Sequence, residues 1–189
     1  KILYVGCNGS EAWWVTKGLW KSDVARLESV QAVQLRYNLI DREADYELLP
    51  LCIDQGLGVI CFSPLAGGML TGKYLNSQEP VANTRAALLP RYRKLFNDGT
   101  ETLVREIVIL AESRGVTPAQ FALAWVKDTP GVTAPIIGVT SLGHLNEALG
   151  AVQVKLSEEE LDRCDDLWEQ LRGYDPKADR RPRPTRRNH

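Results

Sequence analysis

Histidine is scarce in this sequence and occurs only at His144 and His189. A histidine-based metal site needs several of these side chains together, so that class of site is nearly excluded. Cysteine is also sparse, and no two cysteines stand in a CxxC pair; they are Cys7, Cys52, Cys61 and Cys164. Two of them, Cys52 and Cys61, lie within apolar runs, so we expect reduced, buried thiols in a cytoplasmic protein.

Long apolar runs are absent from the sequence, and none approaches the roughly 18 residues that a membrane span requires. A large charge of one sign is absent as well, because the net charge is −1. That balance gives no general case for binding nucleic acid or an anionic membrane. The chain opens on KILYVG, which has no initiating Met and is typical of a strand. We therefore expect a truncated or processed chain, or one half of a larger unit.

The last part of the chain differs in composition from the rest. Residues 176–189, PKADRRPRPTRRNH, hold six Lys and Arg residues against one Asp. Such a segment either binds phosphate or nucleic acid, or is a solvated, disordered terminus, and its charged, Pro-rich composition favours disorder. We therefore predict one folded domain over residues 1–173 and a basic, Pro-rich, disordered tail over residues 174–189.

Segments typical of strands alternate with segments typical of helices. The strand-like segments are residues 2–6, 30–38, 58–62 and 134–139. Capping signals mark two later helices: Thr117-Pro118 at one start, and Ser157 with Glu160 at the other. This alternation predicts parallel strands joined by helical crossovers. Four strands make either a small open α/β domain or half of a (β/α)8 barrel, since a full barrel takes about 250 residues.

One predicted strand continues into a glycine loop. In GVICFSPLAGGMLTGKY, the apolar run 58–62 gives way to a loop with the adjacent glycines Gly67 and Gly68. A glycine loop of this kind is typical of a position where another group must approach the backbone closely. The segment from residue 63 to residue 98 has weak periodicity, so we predict that it is mostly loop.

The predicted strand ends offer amides, hydroxyls and one aromatic ring, at Asn8, Gln34, Phe62, Thr140 and Ser141. Ligands of parallel α/β folds bind beyond these ends, so the set indicates a site that holds a ligand rather than one that transforms it. Two pairs of alternatives stay open. Thr140-Ser141 at a helix start fits phosphate binding or ordinary N-capping, and Phe62 fits stacking on a flat ring or a place in the core.

Four motifs occur in order along the chain: VQLRYNLIDRE, GVICFSPLAGGMLTGKY, TPAQFALAWV and PIIGVTSLGHLNEALGA. Together they resemble the C-terminal half of an aldo-keto reductase, in the branch that holds bacterial general reductases and potassium-channel β-subunits. The resemblance covers the chain from Lys1 to about Gly173. It implies a (β/α)8 TIM barrel that binds NADP(H) without a Rossmann fold, with strands five to eight supplied by this chain.

The resemblance also implies roles for residues near the strand ends. Gln34 would hydrogen-bond the nicotinamide carboxamide, and Phe62 would stack on the nicotinamide ring. Ser63, Leu65 and Gly68 would wrap the pyrophosphate, since glycine lets the backbone come close.

Residues further along the chain would complete the cofactor site. Lys73 and Arg85 are implied clamps for phosphate charge, although a solvated loop explains both equally well. Thr140, Ser141 and His144 would grip the adenosine 2′-phosphate and the adenine.

Several positions depart from the family pattern. Asn8 and Gly9 stand where the family has Ser and Asn, so the carboxamide contact is kept only if Asn8 serves after a one-residue shift. Ser141, His144 and Ala148 replace the family's Arg, Gln and Asn. Because a charged phosphate contact is lost, the choice between NADPH and NADH stays open.

The family's catalytic Asp-Tyr-Lys-His set follows strands two to four, which the four motifs do not include. The resemblance therefore implies the cofactor-binding half of an NAD(P)H-dependent aldehyde or ketone reductase, completed by a complementary N-terminal half-barrel segment. Alternatively, the chain is a non-catalytic module that senses nucleotide or binds a partner. A third hypothesis is that the half-barrel folds alone or associates with itself, in which case its open sheet edges need covering.

Overall fold

The computed structural model describes residues 2–9, 11–77, 82 and 84–173, apart from the side chains of Arg85 and Arg91. The predicted tail, residues 174–189, lies outside the described residues, so its disorder stays a prediction. None of the helices in these ranges combines the length and apolar character that crossing a membrane requires. No group of three or more His, Cys, Asp and Glu side chains within them is arranged to hold a metal ion.

Four parallel strands form one sheet in the order β1-β2-β3-β4. They are β1 (Val5–Asn8), β2 (Val30–Arg36), β3 (Gly58–Phe62) and β4 (Ala134–Pro135). The four predicted strands are therefore confirmed. The last one is shorter than predicted, with two residues instead of the range 134–139, because Pro135 has no N–H to extend the ladder.

Helices separate the strands along the chain. Helices α1 (Ala12–Ala25) and α2 (Leu48–Asp54) join β1 to β2 and β2 to β3. Between β3 and β4 lie α3 (Arg85–Leu88), α4 (Pro90–Arg93), α5 (Asp98–Ser113) and α6 (Pro118–Lys127), and β4 is followed by α7 (Leu142–Gly150) and α8 (Glu158–Arg172). Short 3-10 turns occupy Glu43–Asp45, Ala66–Thr71 and Ala151–Gln153. This α/β order of parallel strands and flanking helices is that of a partial (β/α)8 barrel.

Two helix starts follow directly from the sequence. At α6, the Thr117 hydroxyl accepts from the backbone N–H of Gln120 at 3.2 Å, and the Gln120 side chain accepts from the N–H of Thr117 at 3.1 Å. Ser157 and Glu160 form the same reciprocal arrangement at α8. Each arrangement satisfies two backbone N–H groups that the helix leaves unpaired, so both predicted starts are confirmed.

The segment from residue 63 to residue 98, which we predicted to be mostly loop, holds more regular structure than expected. It contains the 3-10 turn Ala66–Thr71 and the short helices α3 and α4. Tyr74 and Tyr92 anchor it, because their rings are only 4% and 2% exposed. Isolated anchors of this kind follow no helical period, so the sequence pattern gives no sign of them.

The two faces of the sheet differ in burial. Val33 and Leu35 of β2, and Val59 and Cys61 of β3, are at most 3% exposed and belong to the hydrophobic core. Because side chains alternate along a strand, the residues between them share the opposite face. We call that side the open face; β2 and β3 contribute to it the paired residues Gln34 with Ile60 and Arg36 with Phe62, which are half-buried or exposed.

A buried charge cluster ties the turn after β2 to the helices. Arg42 Nε lies 2.9 Å from Asp45, and a terminal guanidinium nitrogen lies 2.7 Å from Asp165 of α8. The guanidinium packs 4.8 Å from the ring centre of Trp125, and the Tyr37 hydroxyl donates to Asp45 at 2.5 Å. Burial disfavours the cation, but Asp45, Tyr37 and Asp165 together hold the pKa of Arg42 above its usual value. The cluster therefore fixes the chain where β2 ends.

Candidate functional site

A pocket of about 450 Å³ opens beyond the carboxyl ends of β3 and β4. One wall is the segment 63–73, which follows β3 and which we call the glycine loop. The other wall is formed by residues 136–140 and the first turns of α7, and α6 closes the base. Six predicted site residues line this pocket: Ser63, Leu65, Gly68, Lys73, Thr140 and His144. The fold thus brings together residues that lie far apart along the chain.

The glycine loop has an unusual backbone. Gly67 and Gly68 have φ angles of 68° and 99°, and Ser63 and Ala66 have φ angles of 55° and 48°. All four lie in the left-handed region, which costs a residue with a side chain about 1–2 kcal/mol. Ser63 and Ala66 therefore need support from their surroundings.

Two side-chain hydrogen bonds hold Ser63, a third holds Gly68, and the backbone N–H of Ala66 donates to the carbonyl oxygen of Ser63 at 2.9 Å. The side-chain amide of Asn38, just beyond β2, donates to the carbonyl oxygen of Ser63 at 3.0 Å. The Ser63 hydroxyl shares a 3.1 Å hydrogen bond with the hydroxyl of Tyr92, and the Thr71 hydroxyl donates to the carbonyl oxygen of Gly68 at 2.8 Å. The loop is therefore a preformed wall of the pocket.

Close contacts explain why glycine stands at both central positions. A Cβ atom at Gly67 would lie 2.8 Å from the ring of Tyr92, and one at Gly68 would lie 2.6 Å from Cε of Lys73. The Lys73 side chain thus lies directly against the glycine backbone, with its ammonium 4.9 Å from the ring centre of Tyr74. It forms no ion pair with any described residue, so its charge is available to an anion in the pocket.

The start of α7 forms the facing wall. The Ser141 hydroxyl accepts from the backbone N–H of His144 at 3.2 Å, so Ser141 caps the helix. The Thr140 hydroxyl and His144 Nδ1 are 3.4 Å apart. One turn further, Glu147 and Ala148 also line the pocket. Ser141 itself does not, and a contact between Ser141 and a ligand stays a prediction.

The remaining predicted residues lie outside the lining of the pocket. Asn8 is paired with Gln34 across β1 and β2, and Phe62 ends β3 on the open face beside Arg36. Arg85 is the first residue of α3, and its side chain lies outside the described part of the structure. The predicted residues therefore divide into a pocket group and a group on the open face, with Ser141 and Arg85 in neither.

Sequence reasoning missed four residues that shape this site. Asn38 and Tyr92 hold Ser63, Thr71 holds Gly68, and Glu147 lines the α7 wall. Asn38 and Glu147 stand inside two of the family-like motifs, which is the one signal that was available for them. Tyr92 belongs to none of those motifs and reaches Ser63 only through the fold.

The ionisable groups that line the pocket favour binding over covalent chemistry. Among the described lining residues these groups are Lys73, His144 and Glu147. The buried thiols stand apart from it, because burial raises the pKa of Cys61 to about 12 and that of Cys52 to about 11. Thiols with such pKa values are weak nucleophiles at neutral pH, as expected for structural cysteines.

An ion pair marks the carboxyl end of β2 on the open face. Arg36 and Asp41 are in direct contact, and their side chains are 45% and 24% exposed. Burial raises the pKa of Asp41 despite the opposing effect of Arg36. The open face is therefore polar at its strand ends, next to Phe62.

The comparisons with known proteins agree with this geometry. A family model described as "Aldo/keto reductase family" matches residues 1–169. The chain is 33% identical over 178 residues to "Uncharacterized oxidoreductase YrpG" of Bacillus subtilis (strain 168), covering 94% of this chain and 52% of that protein. It is 32% identical over 161 residues to "Protein tas" of Escherichia coli (strain K12), covering 85% and 46%. It is 35% identical over 161 residues to "Probable aldo-keto reductase 1" of Glycine max, covering 85% and 44%.

The matches cover most of this chain but only part of each relative. The chain spans about half the length of the curated relatives that it matches. The family match includes the four strands, the glycine loop and the start of α7. This chain therefore belongs to the aldo-keto reductase family.

Proposed function

We propose that this chain binds a nicotinamide dinucleotide and supplies the cofactor-binding half of a cytoplasmic NAD(P)H-dependent reductase of aldehydes or ketones. The observation that carries the proposal is the single pocket shared by the glycine loop and the start of α7. Family membership supports the proposal, as does the word oxidoreductase in the name of the Bacillus subtilis relative.

The pyrophosphate would lie against the glycine loop. Gly68 lets a ligand approach the backbone, and the ammonium of Lys73, which forms no ion pair with a described residue, would offset phosphate charge. Ser63 and Leu65 would complete this contact, and Arg85 would add a second cation from α3. The strained but well-supported loop fits such a role, because its shape is set before any ligand arrives.

The two ends of the dinucleotide would run to different places. Thr140, Ser141 and His144 would hold the adenosine part at α7. On the open face, Gln34 carries both a donor and an acceptor, which complement a carboxamide, and Asn8 beside it offers the same pair.

The nicotinamide ring would stack on Phe62, whose half-buried side chain lies on the open face. Hydride transfer to a small carbonyl substrate is the chemistry that reduced nicotinamide supplies when bound. The task of this chain is therefore to place and orient that ring.

The proton for the carbonyl oxygen would come from another segment. No tyrosine is among the described residues that line the pocket. The hydroxyl of Tyr37 donates a hydrogen bond to Asp45, and the hydroxyl of Tyr92 shares a hydrogen bond with Ser63. We therefore assign the Asp-Tyr-Lys-His set to a complementary half-barrel segment, which would also cover the open face.

A second candidate function rests on the same observation. A nucleotide-sensing or partner-binding module needs no proton donor, so it accounts equally well for a pocket without tyrosine. A pair of such chains would cover the open face by self-association. Turnover separates the two candidates, because only the reductase reduces a carbonyl once its complementary segment is present.

Titration of the 189-residue chain with NADPH and NADH tests the proposal, with protein fluorescence as the readout and light scattering for the mass. Binding with micromolar affinity that is lost in Gln34→Ala and Phe62→Ala supports it. Gln31→Ala is the matched control, since this exposed glutamine lies on the same strand but not on the open face. A folded chain that binds neither nucleotide would rule out the proposed cofactor-binding function.

A further inference from the structure

Helix α1 and the turn after it expose apolar side chains on the outside of the molecule. These side chains are between 57% and 67% exposed, and they are Trp13, Trp20, Val24 and Leu27. Successive residues of an α-helix are about 100° apart around its axis, so Trp13, Trp20 and Val24 lie within about 40° of one another. We call this row, with Leu27 at its end, the α1 ridge.

The α1 ridge faces neither the hydrophobic core nor the open face. Val15 is buried in the core and Leu19 packs against it. Both lie about 100° or more around the helix from the three helical residues of the ridge. This core lies on the other side of the sheet from the open face. A segment that covers the open face therefore leaves the ridge exposed.

A groove of about 560 Å³ runs beside the ridge, between α1 and α2. Trp20 and Leu27 belong to both the ridge and the groove, and Leu51 and Gln55 of α2 form the facing wall. Leu57, just before β3, also lines the groove. The groove therefore lies at the amino ends of the strands, at the opposite end of the sheet from the pocket beyond their carboxyl ends.

The groove also shows which flank of α1 faces a complementary half-barrel segment. The groove side of α1 faces α2, and β1 is the edge strand of the sheet. A strand added to β1 would therefore place its helix on the other flank of α1. That flank carries the small residues Gly18, Ser22 and Ala25. Completion of the barrel covers this flank and leaves the ridge exposed.

We propose that two copies of this chain associate through the α1 ridge and the groove beside it, about a two-fold axis. With the axis between the two features, the ridge of each copy fills the groove of the other, so one surface complements itself. The exposed parts of Trp13 and Trp20 present about 300 Å², since a whole tryptophan presents about 250 Å². They therefore supply more than a third of the roughly 800 Å² that each partner buries in a stable interface.

The charges beside the ridge and the groove are of opposite sign. Lys17 and Lys21 lie on the side of the ridge away from the groove. Asp23 lines the groove, and Asp54 is exposed on α2, one turn from Leu51. Insertion of the ridge into the groove of a second copy brings lysines toward carboxylates. This match favours a second copy over a partner that lacks such lysines.

Light scattering of the 189-residue chain and its variants over a range of protein concentrations tests the proposal. Trp20→Lys and Val24→Lys each place a charge on the ridge. Ile109→Lys is the matched control, because Ile109 is an equally exposed apolar residue on α5. Circular dichroism of each variant verifies that it is folded.

We expect a mass of two chains, twice the 21.1 kDa of one chain, at micromolar concentrations. Trp20→Lys and Val24→Lys should each raise the dissociation constant of the dimer roughly thirtyfold, as the loss of a central interface residue does. Ile109→Lys should leave that constant unchanged. An unmodified chain that stays monomeric overturns the inference. A dimer that both ridge variants leave intact also overturns it, because the contact then lies elsewhere, such as at the open sheet edges. None of these outcomes depends on nucleotide binding, so the proposed function stands or falls separately.

Discussion

The hydroxyl of Ser63 lies 3.1 Å from the hydroxyl of Tyr92, a residue that stands 29 positions later in the chain. The contact joins the first residue after β3 to the short helix α4. Ser63 has a φ of 55°, so the hydrogen bond holds a backbone conformation that serine seldom adopts. The same tyrosine ring lies where a side chain at Gly67 would have to go. Tyr92 thus shapes the glycine loop twice, through its hydroxyl and through its ring.

Replacement of Tyr92 by Phe separates those two effects. The ring stays beneath Gly67, while the hydrogen bond to Ser63 is lost. We expect the free energy of unfolding to fall by about 1 kcal/mol, the usual contribution of such a bond, and nucleotide affinity to fall a few-fold. Urea unfolding and NADH titration measure the two quantities. Tyr4→Phe is the control, because Tyr4 is 78% exposed. If both variants behave alike, the hydroxyl of Tyr92 does not support the loop.

A methyl group at Gly68 should weaken nucleotide binding more than its effect on stability explains. Gly68→Ala imposes left-handed strain of about 1–2 kcal/mol and pushes aside the side chain of Lys73. Gly115→Ala imposes similar strain, since Gly115 has a φ of 69°, but a Cβ there meets nothing within 4 Å. We expect a similar loss of unfolding free energy in both variants and a loss of NADH affinity in Gly68→Ala alone. Equal affinities in the two variants would contradict a role for the loop in binding.

Lys73→Gln should lower nucleotide affinity and change its dependence on salt. Removal of the ammonium takes away a charge-assisted contact to phosphate, worth roughly tenfold in affinity. The affinity of the unmodified chain should fall as salt rises, and the variant should show a weaker slope. Lys21→Gln, at an exposed site on α1, serves as the control. An unchanged affinity and slope in Lys73→Gln would place the phosphates elsewhere.

The order of strands and helices could be predicted from the sequence because its signals are local. Thr117, Pro118 and Gln120 lie within one helical turn, and together they determine where α6 begins. Alternating strands and helices in turn leave few topologies other than a parallel sheet. The predicted positions of β2 and β3 hold for the same reason, since β3 is a short apolar run and β2 a strand-like stretch of mixed polarity, each between helical segments.

The shape of the site could not be predicted in this way, because it depends on contacts across the fold. Asn38 reaches Ser63 over 25 residues, and the separation from Ser63 to Tyr92 is larger still. No periodicity encodes such pairs. Glu147 stands in a helical segment where a carboxylate is ordinarily solvated, so only the pocket distinguishes it from other acidic residues. The family-like motifs indicated which segments meet, but not which side chains hold the loop.

Glu160 should make the stability of the chain depend on pH. Burial raises the pKa of this carboxyl, but hydrogen bonds from Ser157 and from Arg114 outweigh that effect and lower it below its usual value. A group whose pKa is lowered on folding contributes stability above its unfolded pKa, about 4.3, and loses that contribution as pH falls through the folded value.

We therefore expect Glu160→Gln to cost about 1 kcal/mol of unfolding free energy at pH 7, as the loss of a helix cap does. The difference from the unmodified chain should shrink as pH falls from about 4 through the lowered pKa of folded Glu160, because the carboxyl group then becomes uncharged, as the amide of Gln is. Glu159→Gln is the matched control, an exposed neighbour in the same first turn of α8. Urea unfolding of the three proteins at several pH values measures this. A constant difference across that range would mean that Glu160 acts through its shape and not through its charge.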